Sequence, residues 1–423
     1  MTHLPATIDI STVQANGALW TVPALGSKSR AVAQVSTLES AVDEPQTVVA
    51  SSTGGAHSDD ALLSEAARPV ARERLHLDHV DGLRALAALV VYVNHAYAQT
   101  WNPITGQFPQ GFLSVFTYSL AFGHFAVAVF IAVSGFCLAL PLVDSADQIR
   151  GGTVAFLKRR ARRILPPYYA ALLLCLALIF TILGRPTGSL WDVPIQVDTT
   201  SILSHFLLLQ NVFGTGKINY VFWSIATEWH IYFLFPLFAL GVRRLGVVKM
   251  VLAALVFGYA FAACVHGTRV ERANPHFIGI FALGMLSAYV VRSPLPVFAR
   301  LRERSFWPAA SALLLALVVG SCFFVDVETL KQWSWLPDLV MGLFTVGLLV
   351  HATLHRHSKL TRFLGARPLV FIGSFSYSLY LLHAPLLQIL WQYVLTPLAL
   401  APPLTFALLL TLGCANSTQD TEP

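Results

Sequence analysis

The sequence predicts an all-α integral membrane protein of about ten transmembrane helices behind a disordered N-terminal cytoplasmic tail. Three observations carry this. Apolar residues make up 55% of 423 positions while Asp, Glu, Lys and Arg make up 12%, about half the charge of an ordinary soluble domain. The apolar residues come in repeated blocks of about twenty, the length that crosses a hydrocarbon core at ~1.5 Å per residue. The basic residues cluster in alternate connections between blocks, as the positive-inside rule requires. The net charge of +6 therefore reports topology and calls for no nucleic acid.

Residues 1–74 are rich in Ala, Ser, Thr and Val with no sustained apolar run, which predicts a disordered tail. A basic start followed by an uninterrupted apolar segment is absent, so the first span is expected to do the targeting itself. The transmembrane domain is placed at 75–415, with spans at about 81–99, 118–141, 164–184, 221–241, 247–265, 275–291, 306–324, 337–353, 370–390 and 398–414. The segment 200–213 is too short to span and reads as a re-entrant or interfacial helix. Loops at 142–163, 242–250, 292–305 and 354–369 hold seventeen Lys and Arg, against five in the intervening loops, so both termini are expected to be cytoplasmic. The last span runs into a short polar tail, 416–423, without the basic end expected there. Truncation or a frameshift produces such an end, and it puts the packing of the last helix and the activity of the product in question.

All five cysteines lie in apolar blocks without the paired spacing of a zinc or redox motif, so they read as packing residues. No three potential ligands share a metal-binding spacing, and no metal is expected.

A charge inside a span costs at least about 2.5–3.5 kcal/mol on insertion scales and must face a partner, a cavity or a substrate. In DGLRALAALVVYVNHAYAQ, Arg84 and His95 are eleven residues apart, which returns to nearly the same helix azimuth about 16 Å further along the axis. Arg84 could equally snorkel to the headgroups, and His95 could serve a buried hydrogen bond. In NYVFWSIATEWHIYFLFP, Glu228 lies about two turns from the outer helix end, at a depth matched to His95. A carboxylate beside an imidazole stays charged and orients the ring. Such a pair deprotonates hydroxyls; a purely structural ion pair uses the same residues, and depth matching does not separate the two.

KRRARRILPPYY sets five cations within six residues just ahead of the third span, more than an anchor needs. A helix N-terminus beside guanidinium groups suits phosphate, as in the nucleotide end of coenzyme A. In FAVAVFIAVSGFCL, Ser134 and Gly135 let another helix or a thin acyl-pantetheine arm approach closely; the GxSxG frame of a nucleophile elbow is absent. In the ninth span, Tyr377, Tyr380 and His383 follow at i, i+3 and i+6, a polar stripe that suits aromatic packing as well as it suits a cavity lining.

These blocks, in this order, resemble the acyltransferase 3 family of membrane O-acyltransferases, which modify sugars in lipopolysaccharide, exopolysaccharide, nodulation factors and macrolides. The resemblance covers about residues 77–390 and rests on DGLRALAALVVYVNH, VFIAVSGF, RRARRILPPYY, WSIATEWHIYFLFP and SYSLYLLH. One such block is weak; five in register are specific. The resemblance implies that Arg84 and His95 are the essential pair, with His95 nearest the chemistry and Glu228 the matching acid. It implies that Arg160 and Arg163, with Ser134, border an acyl-CoA donor, most simply acetyl-CoA, and that Tyr377 and His383 face the substrate. Trp229 and His230 depart from the family's usual acid and aromatic after Glu228.

The expected function is acyl transfer from acyl-CoA to a hydroxyl of a carbohydrate or glycoconjugate in a bacterial inner membrane, with His95 as general base or acyl carrier. Acyl-CoA, a glycan acceptor and membrane lipids are then its partners. The rival is a proton-coupled transporter or flippase of a glycan or lipid precursor, since relays use the same residue types. No inverted repeat is visible for it, and the basic cluster would have no role.

Overall fold

The computed structural model describes residues 77–101, 123–187, 190–214, 216–325 and 327–415. The expected disordered tail at 1–74, the polar tail at 416–423 and the start of the second span at 118–122 lie outside them.

The first half contains α1 (Asp78–Thr100), α2 (Phe125–Val143), α3 (Gly152–Leu178, continued by a π turn at Ile179–Leu183), α4 (Thr199–Phe206), α5 (Gln210–Phe213), α6 (Phe222–Leu245), α7 (Val247–Cys264) and α8 (Phe277–Arg292). The second half contains α9 (Pro296–Arg302), α10 (Trp307–Phe324), α11 (Val327–Gln332), α12 (Trp335–Leu354), α13 (Lys359–Leu364), α14 (Arg367–Ser374), α15 (Ser376–Ile389, followed by a π turn at Leu390–Leu395) and α16 (Pro402–Ala415). Helices dominate for the reason a bilayer imposes: each backbone N–H and C=O finds its partner within its own segment.

Among the described residues each of the ten expected spans falls largely on helix, but by length and composition seven helices can cross a membrane, or eight when α14 and α15 count as one bent span. The chain is an integral membrane protein on this pattern. The remaining two are α1, which carries Asp78, Asp81 and Arg84, and α16, whose apolar stretch at Pro402–Thr411 is short.

Small residues decide how closely the central helices approach. A Cβ on Gly135 of α2 would lie 2.1 Å from the Phe281 carbonyl oxygen, and one on Gly284 of α8 would lie 1.9 Å from that of Ala132. The two backbones therefore touch where glycine permits it. Helix α8 is accordingly central and buried along most of its length, whereas α10 is mostly exposed and turns Leu313 and Leu317 outward, as a lipid-facing helix does.

Three expectations need correction. The ninth span is not one helix: α14 and α15 meet at Phe375 with a 75° bend. The cations of KRRARR do not precede a helix but lie within α3, which starts at Gly152, so they do not stand at the N-terminus of their own helix. The segment 200–213 is two short helices, α4 and α5, and not one. They are tied down by polar contacts: Tyr168 and Tyr169 donate to the carbonyls of His205 and Phe206 at 2.9 and 2.8 Å, and Gln210 donates to the Phe222 carbonyl at 2.9 Å.

The last helix is packed. Tyr92 of α1 donates to the Leu409 carbonyl at 2.6 Å, and Leu409 is buried with Ala96, Leu387 and Leu390.

Candidate active site

Seven of the residues singled out from sequence line one cavity of about 310 Å³: Arg84, Ser134, Arg160, Arg163, Glu228, Tyr377 and Tyr380. Five helices supply them. Helix α3 brings Arg160 and Arg163 onto one side because they are three residues apart, and Pro166 and Pro167 withdraw two backbone donors from the turn that carries them. Arg84 comes from α1, held by Asp81 at 2.9 Å and directed onto the Cys137 sulfur at 3.4 Å. Ser134 stands on α2 beside the small residue that admits α8.

Glu228 faces this cavity from α6. Its Oε1 accepts from the Tyr232 hydroxyl at 2.5 Å, and the same hydroxyl lies 2.8 Å from Ser134 Oγ. The wall thus presents three guanidinium groups and two carboxylates, Asp81 and Glu228, with Asp81 already paired to Arg84, a surface that stays net positive and suits a polyanion. The buried Nε of Arg160 meets no hydrogen-bond partner among the described residues, which leaves a charged donor available to a ligand. A second cavity of about 200 Å³ adjoins the first through Leu138 and Arg160 and adds Arg150 and Arg159.

His95 and His383 do not line either cavity. They meet each other: His95 Nδ1 and His383 Nε2 are 2.6 Å apart, with ring planes 11° from parallel. Both side chains are buried. The expected depth match between His95 and Glu228 is therefore not what the structure gives. His95 packs edge-on against Tyr220 at 4.7 Å, and Glu228 lies eight residues further along the chain, about two helical turns deeper. The imidazole beside His95 comes from α15, and the carboxylate belongs to the cavity.

The stripe on α15 connects the two places. Tyr377 donates to the Ile164 carbonyl at the cavity wall at 3.2 Å. Tyr380 lines the cavity and bonds Ser224 Oγ at 2.6 Å, and its ring centroid is 5.7 Å from that of His383. Outward from the histidines, Gln99 donates to Gln388 at 2.8 Å and Gln388 to Gln392 at 2.9 Å, a file of amides between α1 and the end of α15.

Sequence reasoning missed Tyr232, Ser224 and Asp81 as wall residues. It also missed a cluster away from the cavity, where Asp338 Oδ2 accepts from His124 at 3.1 Å and His276 at 2.9 Å. An acid inside the apolar run WLPDLV was the available signal. Among the described residues no His, Cys, Asp and Glu group has the arrangement to hold a metal ion.

The helical membrane domain thus holds a cationic pocket and, separate from it, a buried histidine pair, and comparison with known proteins gives its class. The acyltransferase domain family (Acyl_transf_3) matches residues 77–416, and the chain belongs to that family. It is similar to the O-acetyltransferase OatA of Staphylococcus aureus strain NCTC 8325 / PS 47, 24% identical over 343 residues, covering 75% of this chain and 52% of the relative. It is also similar to the acyltransferase MdmB of Streptomyces mycarofaciens, 27% identical over 336 residues, covering 73% and 78%. The peptidoglycan O-acetyltransferase OatA of Listeria monocytogenes is 24% identical over 336 residues, covering 75% and 50%. The chain thus spans about half the length of the OatA relatives. No solved structure matches it.

Proposed function

We propose that this protein transfers an acyl group, acetyl in the simplest case, from acyl-CoA to a hydroxyl of a carbohydrate or glycoconjugate. The observation that carries the reading is the convergence of Arg84, Arg160 and Arg163 with Ser134 and Glu228 on one cavity. In this reading the CoA phosphates lie at Arg163 and at Arg160, which lines both cavities, and the pantetheine arm runs past Ser134 and Arg84. Glu228, held by Tyr232, offsets part of the positive charge so that product CoA can leave.

His95 acts as general base. It takes the proton of the acceptor hydroxyl as that oxygen attacks the thioester carbonyl; the C–S bond breaks, and the CoA thiolate takes up a proton. Tyr380 lines the cavity and packs near His383, which bonds His95; in this reading the thioester end comes past the Tyr380 ring to react. The acceptor class follows from the relatives, whose names include peptidoglycan O-acetyltransferase. Helices α1 and α16 complete ten crossings in this reading, with both termini on the cytoplasmic side of a bacterial inner membrane.

The test is CoA release from labelled acetyl-CoA by the purified protein in nanodiscs, comparing wild type with His95→Ala and Arg163→Ala. Release that requires His95, with a KM for acetyl-CoA raised in Arg163→Ala, supports the reading. A His95→Ala protein with full release would sink it.

A further inference from the structure

We propose that His383 is the positioning residue of the reaction, fixing His95 in the tautomer whose Nε2 is the base; this rests on the acyl-transfer reading above. The argument is a hydrogen-bond account. His383 Nδ1 faces two backbone carbonyls, Tyr380 at 2.7 Å and Leu379 at 3.2 Å. Carbonyl oxygens only accept, so Nδ1 carries the hydrogen, and in the neutral ring Nε2 then holds a lone pair. That Nε2 lies 2.6 Å from His95 Nδ1. His95 must therefore donate from Nδ1, which places its own lone pair on Nε2.

The surroundings hold this arrangement. Tyr220 packs its edge on the His95 ring, and Tyr92 and Tyr380 pack on the His383 ring, with centroids 6.3 and 5.7 Å away. When His95 Nε2 accepts the hydroxyl proton, the new positive charge is shared through Nδ1–H to His383 Nε2, a charge-assisted bond. A carboxylate at this position would do the same and would also keep a negative charge buried in the bilayer. The neutral imidazole orients the base without that charge, and it acts on His95 and not on the substrate.

Two variants separate this role from packing. A glutamine at this position reaches as far as Nε2 and keeps an acceptor for His95, whereas an asparagine reaches only as far as Nδ1 and withdraws it. In CoA release with acetyl-CoA and chitopentaose as the probe acceptor, His383→Gln is expected to keep kcat within about tenfold of wild type. His383→Asn is expected to lose about 100-fold in kcat at unchanged KM for acetyl-CoA, the scale of general-base catalysis. The rising limb of its kcat–pH profile is expected to move to lower pH, because protonated His95 has lost its acceptor.

Equal kcat in the two variants overturns the inference while leaving the acyl-transfer reading intact, provided His95→Ala is inactive. Full release by His95→Ala removes both. The tautomer is also measurable without any His383 variant: histidine ¹⁵N NMR of the wild type in nanodiscs, with His95 assigned by its loss in His95→Ala, is expected to show a protonated Nδ1 and a bare Nε2. The opposite tautomer overturns the inference.

Discussion

The Tyr232 hydroxyl sits 2.5 Å from Glu228 Oε1 on the same face of α6, one helical turn away. It fixes the cavity carboxylate that has no arginine bonded to it, the other, Asp81, being paired with Arg84. Because a hydrogen bond to a charged acceptor contributes about 1.5–3 kcal/mol, Tyr232→Phe frees Glu228 to swing onto Arg160 or Arg84. The expected result is an acetyl-CoA KM raised about tenfold, the equivalent of ~1.4 kcal/mol, with CoA release still dependent on His95. Steady-state release assays check it.

Gly284→Ala is expected to cost about 3 kcal/mol, at the upper end for overpacking, because the added methyl collides with the Ala132 carbonyl and backbone cannot rotate away as a side chain can. Thermal unfolding in detergent reads this directly. Gly320, with nothing within 4 Å of an added Cβ, is the matched control, and Gly320→Ala is expected to leave the melting temperature unchanged or raise it.

Acid should loosen the α4–α5 segment. Burial pulls the His205 imidazole down to about 4, opposed by its bond to the Ser201 carbonyl. The unfolded segment binds a proton near 6.5, so it takes up more protons than the folded one between pH 6.5 and 4. The stabilisation is thus complete above 6.5 and lost as pH falls through 4, on the order of 3 kcal/mol over the window. Amide exchange across 199–213 is expected to accelerate at pH 5 relative to pH 7 after correction for intrinsic rates, and His205→Gln to remove that difference.

The Asp338 carboxylate holds His124 and His276 from the ends of two other helices. Asp338→Ala leaves both imidazoles without that acceptor, and breaking a buried polar network of this kind costs about 3–5 kcal/mol. A melting temperature equal to that of the wild type would show that the cluster does not hold α2, α8 and α12 together.

Hydropathy located the helices well because in a bilayer length and apolar composition are themselves the structural requirement. The cavity residues were legible as charges that must have a reason to be buried, and Arg160 and Arg163 were singled out of the five-cation cluster by the family resemblance. Three things were not legible. The bend at Phe375 has no proline at the break to announce it, and α14 beyond it packs chiefly against α1, a partner distant in sequence. The pairing of His95 with His383 joins positions 288 residues apart, which no local period encodes. Glu228 was misaligned with His95 because counting turns from helix ends assumes those ends are level, whereas His95 meets Tyr220, ahead of the first turn of α6.

The file from Gln99 through Gln388 to Gln392 has a mechanical meaning beside the histidine pair. His95 and Gln99 are one turn apart on α1, and His383 and Gln388 are five residues apart on α15; each pair is bonded to the other across the same seam. Two pins at different heights stop both sliding and rolling, and in hydrocarbon no water waits to replace a broken amide bond. Helices α1 and α15 must therefore move as a single beam, so whatever rearrangement admits or releases a substrate has to occur in the helices around that beam and not between its halves.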